Sequence, residues 1–349
     1  MKIAIIPGDG IGREVTDQAV AVVERAESRF GFSAEKVHFD WGADRYLADG
    51  TTLPEGAVEM FLSDYDAILL GAVGDPRVPD NRHAADILLG LRTRLDLYIN
   101  LRPVKLLHDR LTPLAGRTRA DIDFVVLREN TEGMYTFMGG IFKKGTPDEV
   151  AIQEEVNTRK GVQRIIEAAF DLAIRTGRRK VTLADKSNAM TYGHDLWRRA
   201  FAEVAARHSS IESNAQYIDA MAMFMVLDPG QYDVIVTNNL FGDIITDLGA
   251  ALQGGLGVAG SGNIHPGRVS LFEPVHGSAP QFAGKNVANP IGSILAASLL
   301  LEHVGQPEAA AAVEQAVVRA IEDGMVTRDI GGSLTTSEAG AAIVERVVS

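Results

Sequence analysis

The feature that most restricts this chain is a recurring step from a short apolar run into an amphipathic helical stretch. Residues 2–6 are such a run; it breaks at Pro7-Gly-Asp-Gly and gives way to a segment in which Val15, Ala19, Val22, Val23 and Ala26 share one helical face. Residues 67–70, 124–127, 181–184 and 234–236 have the same strand character, with helical patterns over 157–175 and 193–207 between them. Such alternation predicts a largely parallel sheet covered by helices on both faces. From Asn289 onward three helical stretches, 291–303, 307–323 and 337–347, follow with no strong strand between them. An ending of this kind packs back on a sheet formed earlier, so one domain is expected to use both ends of the chain. Residues 136–156 differ: Gly139-Gly140 and Lys143-Lys144-Gly145 flank short apolar pieces, which reads as a β-ribbon arm.

Composition narrows the function classes. With 349 residues the chain has room for about two domains, and its 46% hydrophobic and 23% charged content excludes disordered classes. A net charge of −12 argues against nucleic acid and anionic membrane as partners. The densest basic cluster, Arg175-Thr-Gly-Arg-Arg-Lys180, reads as a solvated helix end. There is no cysteine, which excludes disulfides, thiolate metal sites and cysteine nucleophiles. The apolar start is too short for a signal peptide, and the longest later apolar stretch, residues 291–301, is about half a membrane span. A soluble, cytoplasmic protein is expected.

Several groupings carry chemistry. Gly8-Asp-Gly-Ile-Gly12 lacks the third glycine of a dinucleotide fingerprint, having Arg13 there, so it is either a structural turn or a ligand loop. His276-Gly-Ser-Ala-Pro-Gln-Phe-Ala-Gly-Lys285 fails the spacing of an NTPase loop but suits a loop that wraps a flat ligand. Asp243 and Asp247 fall on one helical face directly after a strand; they are either solvated acids or oxygen ligands for Mg²⁺ or Mn²⁺. Arg92, Arg102 and Arg128 suit a di- or tricarboxylate, with structural ion pairs as the competing account. Lys186, at a strand end, is a usable base near other cations, and Tyr135 a proton donor. No serine-elbow or zinc-hydrolase motif is present.

Together these stretches resemble the β-decarboxylating dehydrogenases, the family of 3-isopropylmalate, isocitrate, homoisocitrate and tartrate dehydrogenases. The resemblance runs through Pro7-Gly-Asp-Gly-Ile-Gly12, Asn100-Leu-Arg-Pro103, Arg128-Glu-Asn-Thr-Glu-Gly133, Asp185-Lys-Ser-Asn188, Thr237-Asn-Asn-Leu-Phe-Gly-Asp243 and Glu273-Pro-Val-His-Gly-Ser278. It implies an isopropylmalate dehydrogenase-like two-domain α/β fold with a mixed, largely parallel sheet continuing across both domains. The first domain would be 1–97 plus 254–349, which binds cofactor. The second would be 98–253, carrying dimerisation, metal and substrate residues, with an arm at about 136–156 that clasps a homodimer. By the same resemblance Arg92, Arg102 and Arg128 hold substrate carboxylates, Asp219, Asp243 and Asp247 hold Mg²⁺ or Mn²⁺, and Tyr135 and Lys186 are catalytic. Lys186 and Asp219 would serve the partner subunit's site. NAD would lie against Ile11, Ala72, Glu273, His276, Gly277, Ser278, Ala279, Gln281, Phe282 and Asn289.

Within the family, Leu88 and Leu89 match the leucines that contact an isopropyl group, and Asn188 and Ala189 belong to the same substrate region. This implies oxidative decarboxylation of a 3-substituted malate, 3-isopropylmalate in leucine biosynthesis before other 3-alkyl- or 3-arylmalates, tartrate or D-malate. A catalytically silent acid-binding protein is the reading from another class. Ala189 stands where isopropylmalate enzymes commonly have Val, and Ala84 and Ala85 where the family has an acidic residue. Gln281 is neither the Asp of NAD enzymes nor the Lys of NADP enzymes, and Arg328 stands near where NADP enzymes have a tyrosine contact, so NADP remains open beside the favoured NAD.

Overall fold

The computed structural model describes residues 1–348. Twelve strands form in chain order: β1 (Lys2–Gly8), β2 (Glu35–His38), β3 (Ala67–Ala72), β4 (Ile99–Lys105), β5 (Asp123–Glu129), β6 (Gly139–Phe142), β7 (Val150–Gln153), β8 (Lys180–Asp185), β9 (Glu212–Tyr217), β10 (Val234–Thr237), β11 (Gly260–Ile264) and β12 (Ser270–Pro274). Ten of them make one sheet in the order β2-β1-β3-β12-β11-β4-β5-β10-β8-β9, and β6 and β7 make a separate ribbon. The sheet has a parallel quartet at each end, β2-β1-β3-β12 and β5-β10-β8-β9. The junctions β12·β11, β11·β4 and β4·β5 are antiparallel. The two quartets therefore run in opposite directions, with β11 and β4 as the bridge.

Each quartet buries its own apolar faces. The helices Gly12–Phe30, Ile291–His303, Pro307–Glu322 and Thr336–Arg346 pack in one cluster with Ile3, Ile5, Leu69 and Phe272, and Trp41, Phe61, Ile87 and Leu91 cover the other face against Ala4, Ile6, Ile68 and Leu271. The second quartet is sandwiched between Arg159–Thr176 with Gly193–Ala205 and Ile218–Leu227 with Asn239–Gln253. The run 291–301 is thus a buried core helix, and among the described residues no helix is long and apolar enough to cross a membrane.

The expected strands form, extended by one to three residues in all, and the 291–303 helix matches residue for residue. Five strands escaped the sequence reading: β2, β4, β9, β11 and β12. β2 and β9 are edge strands, and β9 (ESNAQY) has no apolar alternation; β11 (GSGNI) is held by pairing on both sides rather than by propensity. The ribbon forms as expected; Ile141, Phe142, Val150 and Ile152 on it are exposed, as are Phe137 and Met138 just before it.

Candidate active site

Strand register builds the floor of the site. Arg128 pairs with Asn100, Asn100 with Asn263, and Asn263 with Leu271, so side chains two apart on these strands share a face. Glu273, Asn263, Asn100, Arg102 and Arg128 consequently form a buried polar stripe across the antiparallel bridge. Burial forces pairing. Asn263 Nδ2 donates to Glu273 Oε1 at 2.8 Å, Asn100 and Asn130 both donate to Asn263 Oδ1, and Arg92 Nη2 meets Glu273 Oε1 at 2.8 Å.

The helix Asn239–Gln253 lies over this stripe; Asn238 caps its start, Oδ1 accepting from Phe241 N. Asn239 Oδ1 accepts from both Nε and Nη2 of Arg128, and one turn further Asp243 meets Arg128 Nη1. Arg102 Nη1 donates to Thr246 Oγ1 at 2.6 Å while its Nη2 stands 3.5 Å from Asp243. Tyr135 donates to Asp243 Oδ2 at 2.8 Å, and the Arg128 guanidinium lies 5.1 Å from the phenol ring centre. The close approach of the helix needs Gly242, where a Cβ would stand 2.5 Å from Arg128 Cγ.

Three guanidinium groups crowded in a buried place oppose one another's charge. Desolvation first, then repulsion from Arg102 and Arg92, brings the Arg128 guanidinium down to about 9, and desolvation with the Arg92 charge lowers Arg102. Asp243 neutralises only part of this excess. Burial works to raise its carboxyl, but the Arg128 and Arg102 charges prevail and hold it below the ordinary range. Burial and the bond to Asp243 raise the Tyr135 phenol, which keeps its proton available for donation. Asp247, one turn past Asp243 and exposed, is raised by desolvation and by the neighbouring Asp243 charge. Two repelling carboxylates with oxygen donors alone fit a hard divalent cation.

Lys186 and Asp219 are elsewhere. Lys186, the first residue after β8, meets Asp219 Oδ1 at 2.6 Å, and this bond lowers the Asp219 carboxyl. No hydrogen bond or ion pair among the described residues joins this couple to Asp243, and no three acids or histidines of the described residues cluster around one point. Asn188 and Ala189, just beyond Lys186, are exposed.

Leu88 and Leu89 are half-buried on a wider π-helical turn, Ala85–Leu89, inserted before Gly90–Arg94, which carries Arg92. Thr52 Oγ1 anchors this turn by a 2.5 Å bond to Asp86. π turns concentrate at functional sites because they re-aim side chains.

Of the expected cofactor residues, Ile11, Ala72, Ser278 and Ala279 lie together beyond the ends of β1, β3 and β12. Ile11 N donates to Ser278 O at 2.8 Å, Asp9 N to Ala72 O at 2.7 Å, and Ile11 packs with Ala288 and Ala279. Gly12 is required here, since a Cβ would stand 2.6 Å from Ala72 N. His276 is pushed down by burial, and its Nε2 is buried with no partner while Nδ1 contacts Gly277 O at 3.0 Å. That orphaned nitrogen fits a bound heteroaromatic group. Asn289 joins Asp329 at 3.0 Å, and Gln281 and the exposed Phe282 sit on the turn Pro280–Phe282. Glu273 is instead committed to Arg92 and Asn263. Sequence reasoning missed Asn239, Thr246 and Asn263; only the Asn238 cap position, directly after a strand, carried a readable signal.

Comparison with known proteins gives the family and the fold. The family model described as isocitrate/isopropylmalate dehydrogenase matches residues 2–343. The chain is 48% identical over 349 residues to a 3-isopropylmalate dehydrogenase of Thermobifida fusca, covering 99% of this chain and 98% of that protein. It is 50% identical over 321 residues to a 3-isopropylmalate dehydrogenase of Mycobacterium avium, covering 91% and 93%. The crystal structure of isocitrate dehydrogenase from Methylococcus capsulatus superposes with a TM-score of 0.90 at 38% identity, covering 100% of this chain and 99% of that one. The fold and the site define a decarboxylating dehydrogenase of hydroxy acids. The chain belongs to the isocitrate/isopropylmalate dehydrogenase family.

Proposed function

We propose that the protein oxidatively decarboxylates 3-isopropylmalate to 4-methyl-2-oxopentanoate in leucine biosynthesis, in the cytoplasm, with NAD⁺ and Mg²⁺ or Mn²⁺. The observation that carries this choice is the pair Leu88 and Leu89 on the π turn leading to Arg92. An alkyl substituent gains by burial there, whereas the extra carboxylate of isocitrate would be desolvated against leucines. Residues 1–97 with 254–349 form the cofactor-binding domain in this reading, and 98–253 the other.

Arg92, Arg102 and Arg128 bind the substrate carboxylates, and the anion relieves their mutual repulsion. Asp243 and Asp247, with the partner's Asp219, would hold the divalent cation. When bound, the cation would supply Lewis-acid polarisation and NAD⁺ would supply the hydride acceptor. Lys186 of the partner subunit takes the hydroxyl proton. After CO₂ leaves, Tyr135 protonates C3, restoring the proton balance at that carbon. Separation of the Lys186–Asp219 couple from Asp243 within one chain supports a homodimer with shared sites, and the exposed apolar ribbon supports the clasp, since a bare two-stranded ribbon is unstable in water.

A neutral Gln281 leaves NADP⁺ as a second acceptor, and exposed Ala85 and Ala189 favour a second reading in which 3-substituents larger than isopropyl are taken. The test is reduction of NAD⁺ and NADP⁺ with Mn²⁺ against 3-isopropylmalate, bulkier 3-alkyl- and 3-arylmalates, D-malate, tartrate and isocitrate. Highest kcat/KM for 3-isopropylmalate is expected. Preference for an aryl substituent would move the assignment to the second reading, and preference for isocitrate would overturn both.

A further inference from the structure

We propose that His194 is a positioning residue for Lys186 and that Glu155, at the root of the ribbon arm, holds the imidazole in place. This rests on the reading of Lys186 as the proton acceptor. Lys186 follows the last residue of β8, so its N–H has no strand partner, and an orphaned N–H at that depth costs free energy. His194 Nδ1 accepts it at 2.9 Å. The Lys186 carbonyl is fixed as well, accepting from Ala189 N at 3.0 Å and Met190 N at 2.8 Å. With both backbone groups held, the direction in which the lysine side chain leaves the strand is set, past the Tyr217 ring to Asp219.

An imidazole nitrogen that accepts from N–H carries no proton, so the ring proton of neutral His194 sits on Nε2. Nε2 faces Glu155 Oε2 at 3.6 Å and Asn238 Nδ2 at 3.4 Å, and the side chains of His194 and Glu155 are almost fully buried. Glu155 Oε1 in turn accepts from Asn238 Nδ2 at 2.5 Å. Asn238 is the cap of the helix bearing Asp243 and Asp247. One carboxylate thus ties together the arm root, the cap of the acidic helix and the ring that holds Lys186. The competing account is packing alone, with His194 filling space against Phe241 at 5.3 Å between ring centres.

Full-length variants separate the two accounts. Asn places its Oδ1 where Nδ1 stands, Gln reaches only the Nε2 position, and Leu keeps volume without an acceptor. For His194→Leu and His194→Gln, kcat with 3-isopropylmalate should fall about 10- to 100-fold while KM changes less than about threefold. His194→Asn should recover kcat to within about threefold of the parent, and Glu155→Ala should reproduce part of the loss. A folded His194→Leu with parental kcat would overturn the proposal, as would equal losses in Asn and Gln. If Leu does not fold, the Asn and Gln pair decides. A second readout needs no turnover: after reductive ¹³C-methylation, the Lys186 resonance, identified by its absence in Lys186→Ala, should move in Gln and Leu but not in Asn. Parental protein inert toward every malate would sink the function assignment, and the resonance would still judge the positioning role.

Discussion

Asp9 offers the sharpest quantitative test of how the cofactor-side turn is built. Its carboxylate is 2% exposed and accepts three hydrogen bonds: from Ala43 N at 2.7 Å, Gly74 N at 2.8 Å and His83 Nε2 at 2.9 Å. Asp9→Ala leaves the buried Ala43 N–H and His83 Nε2–H and the half-buried Gly74 N–H without an acceptor. An unsatisfied buried donor costs about 1–3 kcal/mol, so a loss of about 3–6 kcal/mol is expected, allowing for partial relaxation. That is a large share of a typical stability of about 5–15 kcal/mol. Asp9→Asn keeps one acceptor oxygen and should lose about half as much. His83→Leu should add little to Asp9→Ala, because the two share one interaction. Urea unfolding followed by fluorescence reads this directly, since Trp41 lies in the same half as Asp9 and Trp197 in the other. A loss under about 1 kcal/mol in Asp9→Ala would refute the reasoning that this carboxylate organises the turn.

Gly242→Ala should raise KM for the hydroxy acid about tenfold by displacing Arg128, with a small change in melting temperature, since overpacking of about 1–3 kcal/mol is offset by about 1 kcal/mol of helix propensity; an unchanged KM would contradict the contact. Lys186→Ala and Asp243→Asn should each be inactive as separate proteins. After unfolding and refolding together they should regain about one quarter of parental activity, because a mixed dimer contains one intact shared site; no recovery would refute site sharing. His276 is lowered by burial from 6.5, so above that pH neither state binds its proton, and below it the unfolded chain binds a proton that the native chain refuses. Stability should therefore fall as pH drops below about 6.5, and His276→Gln should flatten that part of a urea-midpoint profile.

Much of the site was legible because its residues sit at places that periodicity marks. Arg128 and Lys186 stand at the ends of apolar strand runs, and Asp243 and Asp247 are spaced one helical turn apart after another. The π turn was not legible: Ala85–Leu89 has the composition of any helix, and its Asp86 is held by Thr52, 34 residues away in the chain. β11 was equally hidden, because a Gly-Ser-Gly-Asn-Ile segment becomes a strand only when β12 and β4 supply partners on both edges.

Local sequence determined the apolar strands, the amphipathic helices, the exposed ribbon and the identity of the charged groups at strand ends, because each follows from a period of two or 3.6 residues. Only the tertiary structure decided that the two parallel quartets run in opposite directions through β11 and β4. That arrangement brings Glu273, Asn263, Asn100, Arg102 and Arg128, from strands up to 173 residues apart, onto one buried face. Their protonation and pairing follow from shared burial, which no segment of the chain possesses by itself.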